Sequence, residues 1–285
     1  MTRFLKMHGL GNDFIVLDAR QHDFELTKQA ASHLADRRFG VGCDQIMILR
    51  TAHSDADIFL DMRNQDGSVT GACGNGTRCV ASLIMDERGT DKVVIETQAG
   101  LLHARRVDDL IEVDMGPAWL EWQQIPLAQE TDTLFVDLSP EESEKATAVS
   151  MGNPHAVFFV DDVMQIDVKQ RGADLEHHRL FPEAANISFA TITGTDQIRM
   201  RVFERGVGIT SACGSGACAV AVAAHRRGLT GRQTGVILDG GSLYITWHDD
   251  GTKEGRVLMK GPASLAYEGA LGHELSRLLQ QSALI

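Results

Sequence analysis

The sequence predicts an α+β chain of two similar domains. Each is expected to be a strand barrel wrapped around a central apolar helix, the pair related by pseudo-twofold symmetry. Three observations carry this expectation. Short landmarks recur in the same order about 140 residues further along, which is how an internal repeat shows itself. The commonest local pattern is a short β-branched or aromatic run bounded by Gly, Asp or Asn, the pattern of a strand. Each half also carries one stretch of small apolar residues directly after a Cys-Gly-x-Gly motif, and a helix apolar nearly all round is a buried one.

The landmarks come in pairs. Ala72-Cys73-Gly-Asn-Gly76, with Cys79 following, matches Ala212-Cys213-Gly-Ser-Gly216, with Cys218 following. Gly11-Asn12 before an apolar run ending at Asp18 matches Gly152-Asn153 before one ending at Asp161. Gln45-Ile46 matches Asn186-Ile187, and Gly116-Pro117 matches Gly261-Pro262. The boundary is therefore expected near Pro117, giving halves 1–117 and 118–262, with the tail 263–285 packing back on the first half.

In the first half Phe14–Leu17, Ile46–Leu49, Ile58–Met62, Val93–Thr97 and Ile111–Met115 read as strands. Leu26–Arg37 has helical apolar spacing with Thr27 as cap, and Thr77–Asp86 is the apolar helix. In the second half Ala156–Val160, Ile187–Ile192, Ile198–Phe203, Val236–Leu238, Leu243–Trp247 and Arg256–Met259 are the strands, with Ala217–Arg227 as the matching helix. The tail ends in a helical stretch, Leu271–Leu284.

Composition narrows the function classes. With 285 residues, 43% hydrophobic and 23% charged, the chain has ordinary globular composition. No apolar run approaches the ~20 residues of a membrane span, and the first residues lack the apolar core of a signal peptide. A net charge of −12 makes nucleic acid and anionic membranes poor partners. Five cysteines, an odd number, argue against a disulfide framework and for a reducing, cytoplasmic setting.

The chemistry sits in the two Cys-Gly-x-Gly motifs. The first N–H groups of a helix have no partner inside it, and the helix dipole adds positive potential there. Such an end holds a carboxylate, and the same field is expected to lower a thiol toward neutrality. One such motif alone reads as a packed helix start with an inert thiol. Two change the reading. If both face one ligand, one thiolate removes an α-proton while the other thiol protonates the opposite face, inverting the carbon. The helix starts would stabilise the charge that builds. The pattern asks for no metal and no pyridoxal phosphate, since the Cys73/Cys79 and Cys213/Cys218 spacings are not those of a zinc site. Cys79, Cys218 and Cys43 read as packing residues.

Met7-His-Gly-Leu-Gly-Asn-Asp-Phe14, Phe39-Gly-Val-Gly-Cys-Asp-Gln45, Asn64-Gln-Asp-Gly-Ser68, Met151-Gly-Asn-Pro-His155, Glu204-Arg-Gly206 and the two cysteine blocks resemble the diaminopimelate epimerases in order and wording. That resemblance implies cofactor-independent interconversion of LL- and meso-diaminopimelate, toward lysine and peptidoglycan, by a homodimer. It places Cys73 and Cys213 on the two catalytic thiol positions, with His155 and Glu204 beside them. Asn12, Gln45, Asn64, Asn153, Asn186, Glu204 and Arg205 fall on substrate-contacting positions. Gly74-Asn75 and Gly214-Ser215 fall on the helix starts that hold the reacting carboxylate. The sequence departs from the usual pattern at Val69 and Ile209, where acidic residues are common. The alternatives are a racemase of another amino acid on the same scaffold, a relative acting on a proline-like or non-amino-acid substrate, and an amino-acid-binding module with inert thiols.

Overall fold

The computed structural model describes residues 2–138 and 145–280. The elements run β1 (Arg3–Gly9), β2 (Asn12–Asp18), α1 (Lys28–Ala35), β3 (Gln45–Arg50), β4 (Ile58–Asn64), α2 (Gly74–Arg88), β5 (Lys92–Thr97), β6 (Gly100–Val107) and β7 (Leu110–Asp114). They continue with β8 (Thr147–Ser150), β9 (Pro154–Phe159), α3 (Val168–Glu176), β10 (Asn186–Gly194), β11 (Gln197–Glu204), β12 (Gly208–Ile209) and α4 (Gly214–Arg226). Last come β13 (Gln233–Leu238), β14 (Gly241–His248), β15 (Arg256–Gly261), β16 (Ser264–Ala270) and α5 (His273–Gln280). The chain divides into two compact units, Met1–Val113 with Gly261–Ile285, and Asp114–Lys260.

The first unit orders its strands β16-β1-β2-β3-β4-β5-β6-β7. β1 and β2 pair antiparallel, β2 and β3 parallel, β3 and β4 antiparallel, β4 and β5 parallel, β5 and β6 antiparallel. The second unit repeats this grammar. β8 and β9 are antiparallel, β9 and β10 parallel, β10 and β11 antiparallel, β11 and β13 parallel, β13 and β14 antiparallel. The repeat read from a few landmarks is thus a repeat of strand direction throughout: two similar domains of one α+β design.

In the first unit α2 packs on β1, β2, β5 and β6. One helix touching strands so far apart in the order means the layer curls around it. In the second, α4 touches β8, β9, β10, β11, β13 and β14, and Ala217–Ala224 is buried without interruption. Burial on every side explains why this segment has no polar face. Both helices begin three residues before the apolar stretch, at Gly74 and Gly214, because the cysteine ahead caps each of them. At the far end of α2, Gly89 takes the left-handed cap conformation, φ 64°, which a side chain would resist.

Sequence reading missed β1, β6, β8, β12, β16 and α3. α3 has a glycine in its middle and a weak apolar stripe, so its start rests on the Asp167 cap, whose side chain accepts from Gln170 N. Thr27 caps α1 as expected, accepting from Ala30 N at 3.2 Å. β16 pairs antiparallel with β1, and Leu271 and Leu279 join the α1 core of Ala30, Ala31 and Leu34. Residues 281–284 of the expected tail helix lie outside the described residues.

Strand pairing explains where polar residues gather. Phe14 pairs with Gln45 and Gln45 with Asn64. The start of β2, the start of β3 and the end of β4 therefore share one end of the layer. In the second unit Asn186 pairs with His155, and Ile187 with Phe203. The starts of β9 and β10 and the end of β11 share the equivalent end.

Candidate active-site groups

In each unit a cysteine is the N-cap residue of the buried helix. Cys73 Sγ accepts from Gly76 N at 3.4 Å, and Cys213 Sγ accepts from Gly216 N at 3.4 Å. Sulfur thus takes the capping place usually held by Ser, Thr, Asp or Asn. The glycine three residues on has a steric reason in both motifs. A Cβ at Gly76 would collide with the Met47 side chain, and one at Gly216 would sit 3.2 Å from Cys213 Sγ.

Around Cys73 stand Asn12 and Asn75. Cys73 Sγ lies 3.8 Å from Asn12 Oδ1, which also accepts from Asn75 Nδ2 at 3.2 Å. Asn12 Nδ2 donates to Asp44 Oδ2 at 3.0 Å. Further along the same end, Gln45 Nε2 donates to Asn64 Oδ1 at 3.1 Å, and Asn64 Nδ2 donates to Ser68 Oγ at 3.0 Å. The expected residues of the first unit thus fall into two hydrogen-bonded groups, Asn12 with Asn75 and Gln45 with Asn64, while Gly74 is the first residue of α2.

Around Cys213 the partners differ. Its Sγ lies 3.7 Å from Ser215 Oγ, which accepts from Asn153 Nδ2 at 3.4 Å. Asn153 Oδ1 faces His155 Nε2 at 3.0 Å. The acceptor is a carbonyl oxygen, so Nε2 carries the ring proton. His155 is fully buried, and that burial, helped by the Arg205 charge, pushes it down to about 3. It is a neutral imidazole at any physiological pH.

Cys213 itself is 4% exposed. The helix start was expected to bring a thiol toward neutrality. The structure reverses this at Cys213. Burial, followed by the Glu204 charge and hydrogen bond, pushes its thiol well above the ordinary range. Desolvating a thiolate beside a carboxylate outweighs the helix field. Glu204 is fixed in turn by a hydrogen bond from Thr210 Oγ1.

Asn186 is buried, its Nδ2 donating to Pro154 O at 3.0 Å while its Oδ1 accepts from Arg205 N at 3.0 Å. Arg205 Nη1 donates to Glu183 O at 2.9 Å, and the residue is otherwise exposed. Cys43 and Cys79 are buried and pushed up to about 12 by desolvation. They are packing thiols, as read. Among the described residues no group of three His, Cys, Asp or Glu is placed to hold a metal ion.

Sequence reading overlooked Asp44, Ser68, Thr210 and Glu176, the last accepting from Gly206 N at 2.6 Å. Asp44 and Ser68 lie inside motif blocks already singled out, and Thr210 follows Ile209, one of the two departures. Only contacts distinguish them from ordinary loop residues. Glu176 sits in α3 and carries no local signal at all. Val69 and Ile209, the two departures, are exposed.

The arrangement resembles known proteins along nearly its whole length. The family model described as diaminopimelate epimerase matches residues 4–120 and 147–266. The diaminopimelate epimerase of Rhodospirillum centenum is 56% identical over 277 residues, covering 96% of this chain and 94% of that protein. That of Acidiphilium cryptum is 53% identical over 269 residues, covering 94% and 95%. Among solved structures, a probable proline racemase from Agrobacterium radiobacter superposes with a TM-score of 0.69 at 16% identity, covering 96% of this chain and 93% of that one. A phenazine biosynthesis protein of Bacillus anthracis gives 0.66, also at 16% identity, covering 94% and 98%. At such low identity these two speak for the fold alone.

Proposed function

The chain belongs to the diaminopimelate epimerase family, and from that premise we propose how its residues act. It is an isomerase that interconverts isomers of diaminopimelate in lysine synthesis. The finer reading is a two-thiol reaction between the LL and meso forms, whose product also serves peptidoglycan synthesis. Cys73 serves one face of the α-carbon and Cys213 the other. The thiolate on one face takes the α-proton and becomes a thiol. The thiol on the other face gives its proton to the carbanion and becomes a thiolate. Protons balance within one turnover, and no redox partner or cofactor enters.

The observation that carries this reading is the duplicated cap: a cysteine at the N-terminus of a buried helix in each unit. Backbone N–H groups at the helix starts Gly74-Asn75 and Gly214-Ser215 suit the α-carboxylate, whose charge rises as the proton leaves. Glu204 fits a partner that accepts the Cys213 proton when that thiol must act as base. His155 is neutral and orients Asn153 in this reading. Asn64, Asn186, Glu204 and Arg205 supply donors and an acceptor for the distal amino-acid head, where a guanidinium suits a carboxylate. Asn12, Gln45 and Asn153 complete the polar lining. We also read a homodimer working in a reducing, cytoplasmic setting, which suits an odd count of five cysteines.

The test is solvent exchange. In deuterated water the protein should place deuterium on the α-carbon of diaminopimelate while its optical rotation relaxes. A module that only binds would leave the α-carbon protonated. Lysine lacks the distal carboxylate and should turn over about 10³–10⁵ times more slowly. Equal turnover of lysine would point to a broad racemase.

A further inference from the structure

The side-chain amide of Asn12 has a donor end and an acceptor end, and its neighbours decide which end meets the thiol. Asn12 Nδ2 donates to Asp44 Oδ2 at 3.0 Å. A carboxylate only accepts hydrogen bonds, so the NH₂ end must take that side. The carbonyl oxygen is then left facing α2, where it accepts from Asn75 Nδ2 and lies 3.8 Å from Cys73 Sγ.

Asp44 is itself held from several sides. Its Oδ2 also accepts from Asp13 N at 3.1 Å, and its Oδ1 accepts from Arg37 Nη2 at 2.8 Å. Its own backbone N–H donates to Asp13. Asp13 is bracketed by Lys6 at 2.6 Å and Arg37 at 2.7 Å, which hold its carboxyl below the usual range against the opposing pull of burial. Three charged residues, Lys6 on β1, Asp13 on β2 and Arg37 between α1 and β3, thus fix one carboxylate behind one amide. In the second unit the matching asparagine is turned the other way. Asn153 offers its carbonyl oxygen to His155 and its NH₂ toward Ser215.

We propose that Asp44 is a positioning residue that locks the Asn12 amide with its carbonyl oxygen toward the Cys73 thiol. Such an oxygen accepts from S–H and repels a thiolate. A flipped amide would present N–H groups and favour the thiolate. Charged and titratable groups on the elements that pack on α2 or lead to its start include Lys6 and His8 on β1, Asp13 on β2, and Arg37 and Asp44 ahead of β3, with Arg78 and Cys79 on α2 itself. The inference rests on Cys73 being a working thiol, as proposed above. Its test reads the thiol without substrate, so it fails or succeeds separately from that reading.

The experiment is iodoacetamide labelling of the Cys73 peptide against pH, quantified by mass spectrometry, in wild type, Asp44→Asn, Asn12→Ala and the double variant. Removing a negative charge lowers a thiol midpoint through space by itself, and the Asn12→Ala pair isolates that part. Asp44→Asn should lower the Cys73 midpoint by about one pH unit, a tenfold rise in thiolate below it. In the Asn12→Ala background the same change should shift it much less. The corresponding limb of the kcat–pH profile should move with it. Equal shifts in both backgrounds would overturn the lock, leaving only a through-space charge effect. Should Asp44→Asn fail to fold, ¹⁵N-edited contacts in the wild type decide. The Asn12 NH₂ protons should lie near the Asp13 backbone N–H, and contacts to the Cys73 Hβ instead would overturn the proposal.

Discussion

The two cysteine-capped helix starts share a backbone and differ in their side chains. Both sulfurs accept from the N–H three residues on, at the same 3.4 Å. Cys73 is half-buried among amides, with Asn75 in the first helical turn. Cys213 is almost fully buried beside a carboxylate, with Ser215 at the equivalent place. The lesson is that a repeat preserves the geometry that places a group without preserving its surroundings. Placement comes from strand direction and the cap, whereas acidity comes from desolvation and the nearest charge. The two thiols therefore stand in different settings, and Cys213 begins as a thiol.

The largest effect tests whether the likeness or the difference governs chemistry. Cys73→Ala and Cys213→Ala should each cut epimerisation by at least ~10³, since each removes a proton carrier. Chiral chromatography of the product isomers reads this directly. Full turnover in either variant would mean one thiol suffices.

Glu204→Gln should sharpen the contrast. It removes the charge beside Cys213, so that thiol's labelling midpoint should fall while that of Cys73 stays in place. Turnover should drop by ~10²–10³, because the acceptor for the Cys213 proton is gone. A parallel shift at both thiols would show that the two sites are electrostatically one.

A stability measurement addresses the buried, neutral His155 of the second unit. The folded protein keeps His155 unprotonated down to about 3, whereas the unfolded chain binds a proton near 6.5. The unfolded state therefore holds more protons in between, and stability is lost as pH falls through that window. Wild type should lose about 2 kcal/mol between pH 6.5 and 5 from this group. His155→Gln should lack that share of the acid slope in urea unfolding. An unchanged slope would show the ring is protonated in the fold.

The smallest effect concerns the inner thiols, where the units are expected to agree. Cys79→Ala and Cys218→Ala each remove one buried sulfur, costing about 1 kcal/mol, with turnover retained. Wild type should also lose stability as pH rises from about 9 toward 12, because Cys79 stays protonated in the fold while the unfolded chain ionises. Cys79→Ala should blunt that loss in alkaline unfolding curves. Loss of turnover in either variant would assign the inner thiol a chemical part.

Much of this was legible in the chain, for identifiable reasons. Cys73 and Cys213 announce themselves because a glycine-rich helix start is a local pattern that repeats. β3 is legible because burial on both faces demands an unbroken apolar run, and β11 because apolar residues alternate along it. β1 and β6 were not, since their residues mix charge with apolar positions: Arg3-Phe-Leu-Lys-Met-His-Gly and Gly100-Leu-Leu-His-Ala-Arg-Arg-Val. Pairing with neighbours, not their own composition, makes them strands.

The sequence by itself determined the duplicated architecture, the capped helices and the set of polar residues that resemble an epimerase. These depend on local spacing and on which residue types tolerate a tight helix start. Tertiary structure alone decided the protonation of Cys213, the neutrality of His155 and the direction in which Asn12 points. Each depends on burial and on groups 9 to 50 residues distant in sequence, brought close in space by the fold. Desolvation and the nearest charge act through space, and no reading along the chain contains that distance.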